Sequence, residues 1–290
     1  MIIFAFNPNV ITVNTNEKVT FYIGPYIDER EPFEGKVNID ISKYVQCIFR
    51  HNEYYIAFDV YVQIGEAPKT ALYFESLWGA INVGECFNKS HTVTWFKAYP
   101  MSVSYYQPAG STLSVSVDDG PYKIISETDS GLLEFPMKGY ENSRLVKLKI
   151  ESSQTTVITI NISDRTDGIY CRWVDRHAFT RYYLFSKGAI TRQSKHGEAV
   201  SVGYDPERPM YGEKRCNKTL VKTMHVGAPF VPRDMMDWLR MIETSPIVEA
   251  YIDNRWVSVI VKQSTHKDGE DDLQDYELDL ILPEVTTQSL

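Results

Sequence analysis

Alternation between apolar and polar residues at every second position governs most of this chain, which points to β-strands as its main element. The clearest run is Tyr54, Ile56, Phe58, Val60, Val62 and Ile64, with Asp59 and Gln63 on the opposite side. Val19/Phe21/Ile23, Val37/Ile39/Ile41, Leu113/Val115/Val117, Val146/Leu148/Ile150 and Ile158/Ile160/Ile162 repeat the pattern. Each run is short and half apolar, as antiparallel strands with one solvated face require. Turn signals separate them: Asn7-Pro8-Asn9, Glu34-Gly35, Asp119-Gly120, Asp167-Gly168, Asp253-Asn254 and Lys267-Asp268-Gly269. Asp-Gly tolerates positive φ, so Asp119-Gly120 and Asp167-Gly168 read as hairpin turns. Many short strands joined this way make a sandwich or barrel.

One segment has another period. Met235, Trp238, Leu239 and Ile242 form a single apolar stripe at helical spacing within residues 232–244. Pro232 suits a first helical position, Asp234 and Asp237 favour the positive end of the dipole, and Ser245-Pro246 stops the helix. A polar stretch at 163–168 marks a boundary. The expected fold is mainly β, with two antiparallel sandwich- or barrel-like domains. An N-terminal sandwich-like domain takes residues 1–165; a β-rich domain with one short helix on a sheet takes 166–290.

Chemistry is hard to find. The chain carries 30 Lys and Arg against 38 Asp and Glu, a formal net charge of -8, which gives no footprint for nucleic acid. No run is long and apolar enough for a membrane helix, and Met1 to Pro8 lacks the make-up of a signal peptide. The six histidines form no His-x-x-x-His pair, and no phosphate-binding glycine loop or Gly-x-Ser-x-Gly elbow occurs. Cys47, Cys86, Cys171 and Cys216 are far apart and read as isolated buried thiols. Asp268, Glu270, Asp271 and Asp272 could ligate calcium, but they lack the spaced ligand ladder of an EF-hand, and a solvated hairpin tip is the preferred reading. No catalytic residue, cofactor or metal is expected, and the chain reads as a non-enzyme. Two carboxylates brought together by the fold, as in glycosidases, carry no sequence spacing, so a glycan-active hydrolase stays open as an alternative.

Aromatic residues make up 13% of the chain, led by 19 Tyr, a bias that suits strands and contact surfaces. They concentrate between Gly168 and Phe185. Ile169, Cys171 and Trp173 share one face of a strand, Val174 to His177 turns, and Phe179 to Phe185 returns. Tyr170, Arg172 and Arg181 lie on or near the other face. The nominated core or interface aromatics are Trp95, Tyr170, Trp173, Tyr182, Tyr183, Trp238 and Trp256. A sugar-binding or receptor-binding face is the competing use of such residues, with Trp95, Tyr105 and Tyr106 as its candidates.

Cys171-Arg172-Trp173-Val174-Asp175 with its return Tyr182-Tyr183-Leu184-Phe185 resembles a hairpin of structural proteins from phages and prophages of gut Bacteroidetes. The order that follows is similar too. The helix Trp238-Leu239-Arg240-Met241-Ile242 runs into Ser245-Pro246-Ile247-Val248, then Trp256-Val257-Ser258-Val259, then the closing strand Asp272 to Leu278. That order looks like the C-terminal part of tail or baseplate proteins near the distal end of the tail tube, over residues 168–282. Asp175, Arg176 and His177 stand where the family has a turn Asn and glycines. The resemblance implies a virion component made in the bacterial cytoplasm. Its partners would be other tail proteins and copies of itself, with no nucleic acid and no membrane insertion; a host glycan is the alternative partner.

Overall fold

The computed structural model describes residues 1–50, 53–126, 130–195, 199–202, 212–215, 219–262 and 272–282. The protein is mainly β, and it divides into two units. The first comprises Met1–Asp164 with Val174–Arg181; the second comprises Arg165–Trp173 with Tyr182–Leu290.

The first unit begins with β1 (Ile2–Phe4), β2 (Val10–Asn14), β3 (Val19–Ile23), β4 (Tyr26–Arg30) and β5 (Lys36–Asp40). Helix α1 (Ser42–Ile48) is followed by β6 (Tyr55–Ile64), β7 (Thr70–Leu77), β8 (His91–Phe96) and β9 (Ser102–Gln107). Then come β10 (Thr112–Val117), β11 (Lys123–Ser126), β12 (Gly131–Pro136), β13 (Leu145–Glu151) and β14 (Thr155–Ser163). Two five-stranded sheets, ordered β1-β7-β6-β3-β4 and β11-β10-β13-β14-β8, are accompanied by the separate strand pairs β2-β5 and β9-β12. Pairing is antiparallel except at β1-β7 and β8-β14.

The alternating runs point where their pattern says. Val19, Phe21 and Ile23 are each fully buried, and they pack with Val60, Val62, Phe74, Val37, Ile39, Ile41 and Val45 in one core. Val146, Leu148, Ile150, Ile158 and Ile160 are likewise buried. In β10 the serines between the apolar residues are buried as well, Ser114 and Ser116 both at 3% exposure, so this strand is covered on both faces.

The second unit contains β15 (Ile169–Val174), β16 (Thr180–Lys195), β17 (Ala199–Val202), β18 (Gly212–Arg215) and β19 (Thr219–Pro232). Helix α2 (Arg233–Leu239) and a 3₁₀ turn (Arg240–Glu243) lead to β20 (Val248–Ile252), β21 (Arg255–Ser258), β22 (Ile260–Val261) and β23 (Leu273–Leu282). Its main sheet is ordered β21-β20-β15-β16-β19-β23-β22. The two edge strands are one stretch of chain: Arg255–Ser258 pairs with β20, and Ile260–Val261 pairs with β23. At the break between them, the Val259 amide donates to the Val248 carbonyl at 2.9 Å. The sheet thus comes nearly round to a closed barrel. The helix stripe is as expected: Trp238, Leu239 and Ile242 are buried, with Met235 packed beside them in the core that holds Trp173, Phe185 and Tyr276.

Several local readings need correction. Helix α1 was not anticipated; its seven residues are too few to display a helical period, and it starts because Asp40 Oδ1 accepts from the amides of Asn9 and Ser42. The α-helix proper of 232–244 ends at Leu239, and Pro232 is its N-cap, not its first residue. The first hairpin turn centres on Asp118 and Asp119, both at positive φ, with the Gly120 amide closing onto Val117. Asp167-Gly168 makes no hairpin. Gly168 (φ 154°) lets the chain enter β15, where a Cβ would come within 2.3 Å of the Phe185 carbonyl oxygen. Of the described cysteines only Cys171 is buried, while Cys47 and Cys86 are exposed. Cys216, Lys267-Asp268-Gly269 and the acids Asp268, Glu270 and Asp271 lie outside the described residues; Asp272 is exposed.

Candidate functional site

The aromatics nominated from sequence are core. Trp95, Tyr170, Trp173, Tyr182 and Trp238 are all under a tenth exposed, and Tyr183 and Trp256 are partly buried. Apart from Trp95, which lies on β8, they divide between the two faces of the β15-β16 hairpin. On one, Trp173 stacks on Trp238 with ring centres 5.9 Å apart and tilts against Phe185 at 6.4 Å. On the other, Tyr170 stacks on Tyr182 at 5.9 Å and meets Trp256 at 5.6 Å. Arg172 lies over the Trp256 ring at 4.3 Å while its Nε donates to Glu249 at 2.6 Å. Trp95, Tyr105 and Tyr106 form no sugar platform, because all three are at most 5% exposed. Trp95 Nε1 donates to the Tyr99 carbonyl, and the Tyr106 hydroxyl donates to the buried Glu75 carboxylate.

The densest polar cluster sits at the hairpin tip, within the first unit. Asp175 opens the turn, as an Asx residue at that position does. Its Oδ1 accepts from the amides of His177 (2.8 Å) and Phe179 (3.0 Å), and its Oδ2 accepts from Arg181 Nε (2.7 Å). Ala178 takes a positive φ of 72° between them. Arg181 then reaches His91, its Nη1 lying 2.9 Å from His91 Nε2. His91 Nδ1 lies 3.0 Å from the Lys89 carbonyl oxygen, so the proton belongs on Nδ1 and Nε2 is the acceptor for Arg181. Beside this chain, Arg176 Nη2 meets Glu85 at 2.5 Å. His177 Nε2 is 3.1 Å from the same carboxylate but is not aligned for a hydrogen bond.

The electrostatics follow from this geometry. Burial, and then the Arg181 charge, push the His91 pKa down to about 4, and burial pushes His177 down too. The cluster fixes a turn: each strong acceptor of Asp175 is occupied by groups of the turn itself. One expected result is acid sensitivity. A histidine that resists protonation in the fold contributes stability above its free value of 6.5, and that stability is lost as pH falls through about 4. We expect a loss of about 2–3 kcal/mol across that window, measured by urea unfolding at stepped pH. His91→Gln, which keeps an acceptor for Arg181 but cannot titrate, should flatten the step; an unchanged profile would refute the assignment.

The accessible surface offers something else. On the outer face of the first sheet, Ile27, Tyr22, Tyr61 and Ala71 stand in register across four strands, with Asp59 beside Tyr73 in the next row. Ile27 is 65% exposed, Tyr73 54% and Tyr61 42%. Lys69 Nζ covers the Tyr22 ring at 3.4 Å, and the Tyr22 hydroxyl donates to Gln63. At the far end of the same face Glu75 is only 7% exposed, receiving Tyr106 and the Tyr73 hydroxyl (3.4 Å). One end of this face is therefore covered and the other is an open tyrosine surface. Sequence reading missed it because Tyr61 and Tyr73 sit at the polar positions of their strands, where the alternating pattern assigns solvent.

Comparison with protein-family models gives no match, and comparison with curated proteins gives none either. Among the described residues no group of three or more His, Cys, Asp or Glu is placed to hold a metal ion, and no helix is long and apolar enough to cross a membrane.

Proposed function

We propose that this chain is a structural component of a phage virion, from the tail or baseplate, which assembles through the surfaces of its β domains. The observation that carries the reading is the open tyrosine face of β3, β6 and β7, flanked by Ile27 on β4. Interfaces are enriched in tyrosine, and contiguous exposed apolar surface marks contact sites. The similarity of residues 168–282 to phage tail proteins supplies the biological setting.

Sedimentation velocity and negative-stain imaging of the isolated chain test this. Closed rings or concentration-dependent multimers are expected. A Tyr61→Ala/Tyr73→Ala variant should keep its melting stability within about 0.5 kcal/mol, since both side chains are exposed. Its association should weaken by about 1–2 kcal/mol, as loss of interface tyrosines does. A chain that is monomeric at every concentration would defeat the proposal.

A second reading rests on the same face. Tyr61 and Tyr73 flank the exposed Asp59, a pairing of ring faces and a carboxylate that suits a pyranose and its hydroxyls. Glycan retardation in affinity electrophoresis that disappears in the double variant, in a monomeric parent, would favour host-glycan binding.

A further inference from the structure

Charge is unevenly placed along this chain. Residues 186–222 hold eight Lys and Arg against four Asp and Glu, leaving 22 against 34 for the rest. The basic stretch includes the outer part of β16, where every residue from Lys187 to Ser194 is exposed. Among the described residues these pair with β19 alone, since β15, the other neighbour of β16, begins only at Ile169, and Gly168 just before it lies against Phe185. Among the described residues no strand pairs with the other edge of β16 beyond Ser186, where Arg165 Nη2 donates to the Ser186 hydroxyl at 2.8 Å. Across the ribbon Arg192 stands directly opposite Lys222, with Ile190 opposite Met224 on the same face.

A second open edge carries the opposite sign. Among the described residues β4 pairs with β3 alone; it carries Glu29, ion-paired with Lys18 at 2.5 Å, and ends at Arg30, after which the chain passes Glu31 and reaches Glu34 in a turn at positive φ, all three acids being exposed. Apolar side chains accompany these acids: Ile27 is 65% exposed and Phe33 77%. Neither edge is a featureless template. A bulge at Gly188-Ala189 ends the regular run of β16 on one side, and Pro32 ends that of β4.

We propose that the free edge of β16 in one copy adds antiparallel to the free edge of β4 in the next. Setting Arg192 against Glu29 in an antiparallel register places Lys187 opposite Glu34 and Ile190 opposite Glu31, with Phe33 diagonally beside it. Backbone hydrogen bonds supply the attachment and the charges supply register, as in other strand-addition contacts. Because two different edges meet, the contact is head-to-tail and closes into a ring when the rotation permits. The inference rests on the assembly reading above and adds to the tyrosine face a second contact, one that sets direction and register between copies.

Full-length variants test it in sedimentation velocity at low and high salt. Lys187→Glu/Arg192→Glu should weaken self-association about tenfold or more, as should Glu31→Lys/Glu34→Lys, each with an unchanged circular dichroism melt. The parent's association should fall as salt rises. Mixing the two variants should restore association in an alternating assembly, because each supplies the sign the other has lost. Should a charge-reversed chain fail to fold, the neutral Arg192→Gln is expected to give a smaller loss in the same direction. Variants that associate as the parent does, or a mixture that stays dissociated, would overturn the edge pairing and leave the assembly reading standing. A parent chain that is monomeric throughout would overturn both.

Discussion

Replacing Asp175 with alanine should destabilise the protein by about 3–5 kcal/mol, the cost of leaving a buried charge without its partner. Arg181 is 9% exposed and Asp175 3%, so no solvent reaches in to compensate. The substitution also strips the amides of His177 and Phe179 of their acceptor and releases a turn in which Ala178 holds a positive φ. Asp175→Asn should cost less, because its amide oxygen still accepts from the turn while the charge facing Arg181 is gone. Urea unfolding followed by fluorescence measures both. A loss below about 1 kcal/mol for the alanine variant would show that the turn holds without its carboxylate.

Trp173→Ala should have an effect of similar size, about 3–5 kcal/mol. The side chain is 1% exposed and sits where β15, β16 and α2 converge, between Phe185 and Trp238. Removing it leaves a cavity that the barrel wall cannot fill, since that wall is held by strand hydrogen bonds. Trp238, on a short helix that can shift, should lose less when truncated. Differential melting of the two variants distinguishes these cases; an equal or reversed order would mean that the helix is the more rigid partner.

The alternating runs were legible because their faces differ in solvent, and one-sided burial writes itself into period two. Val19, Phe21 and Ile23 needed no partner strand to be recognised as inward. The stripe of α2 was legible for the same reason at another period. What sequence did not disclose depends on residues far apart in the chain. His91 becomes informative only when the turn after Val174 brings Arg181 to it, and Glu85 only when it meets Arg176. Asp175 was a local signal that could have been used, being an Asx residue at the head of a turn. Tyr61 and Tyr73 were passed over because an aromatic at a solvated position looks, one residue at a time, like any other exposed side chain. Helix α1 is too short to show a stripe, and α2 ends a turn earlier than its apolar pattern because the chain tightens at Arg240.

The run Arg255–Val261 serves as a clasp. One short piece of chain satisfies the β20 edge with its first half and the β23 edge with its second, so both seams of the barrel shut together or stay apart together. During synthesis β15, β16, β19 and β20 are all made before the clasp emerges, and β23 follows it, so the wall cannot be completed in stages. Such an arrangement ties folding of the second unit to contacts between distant parts of the sequence, which slows it. A proteolytic nick inside the clasp would unfasten two strand margins in a single event.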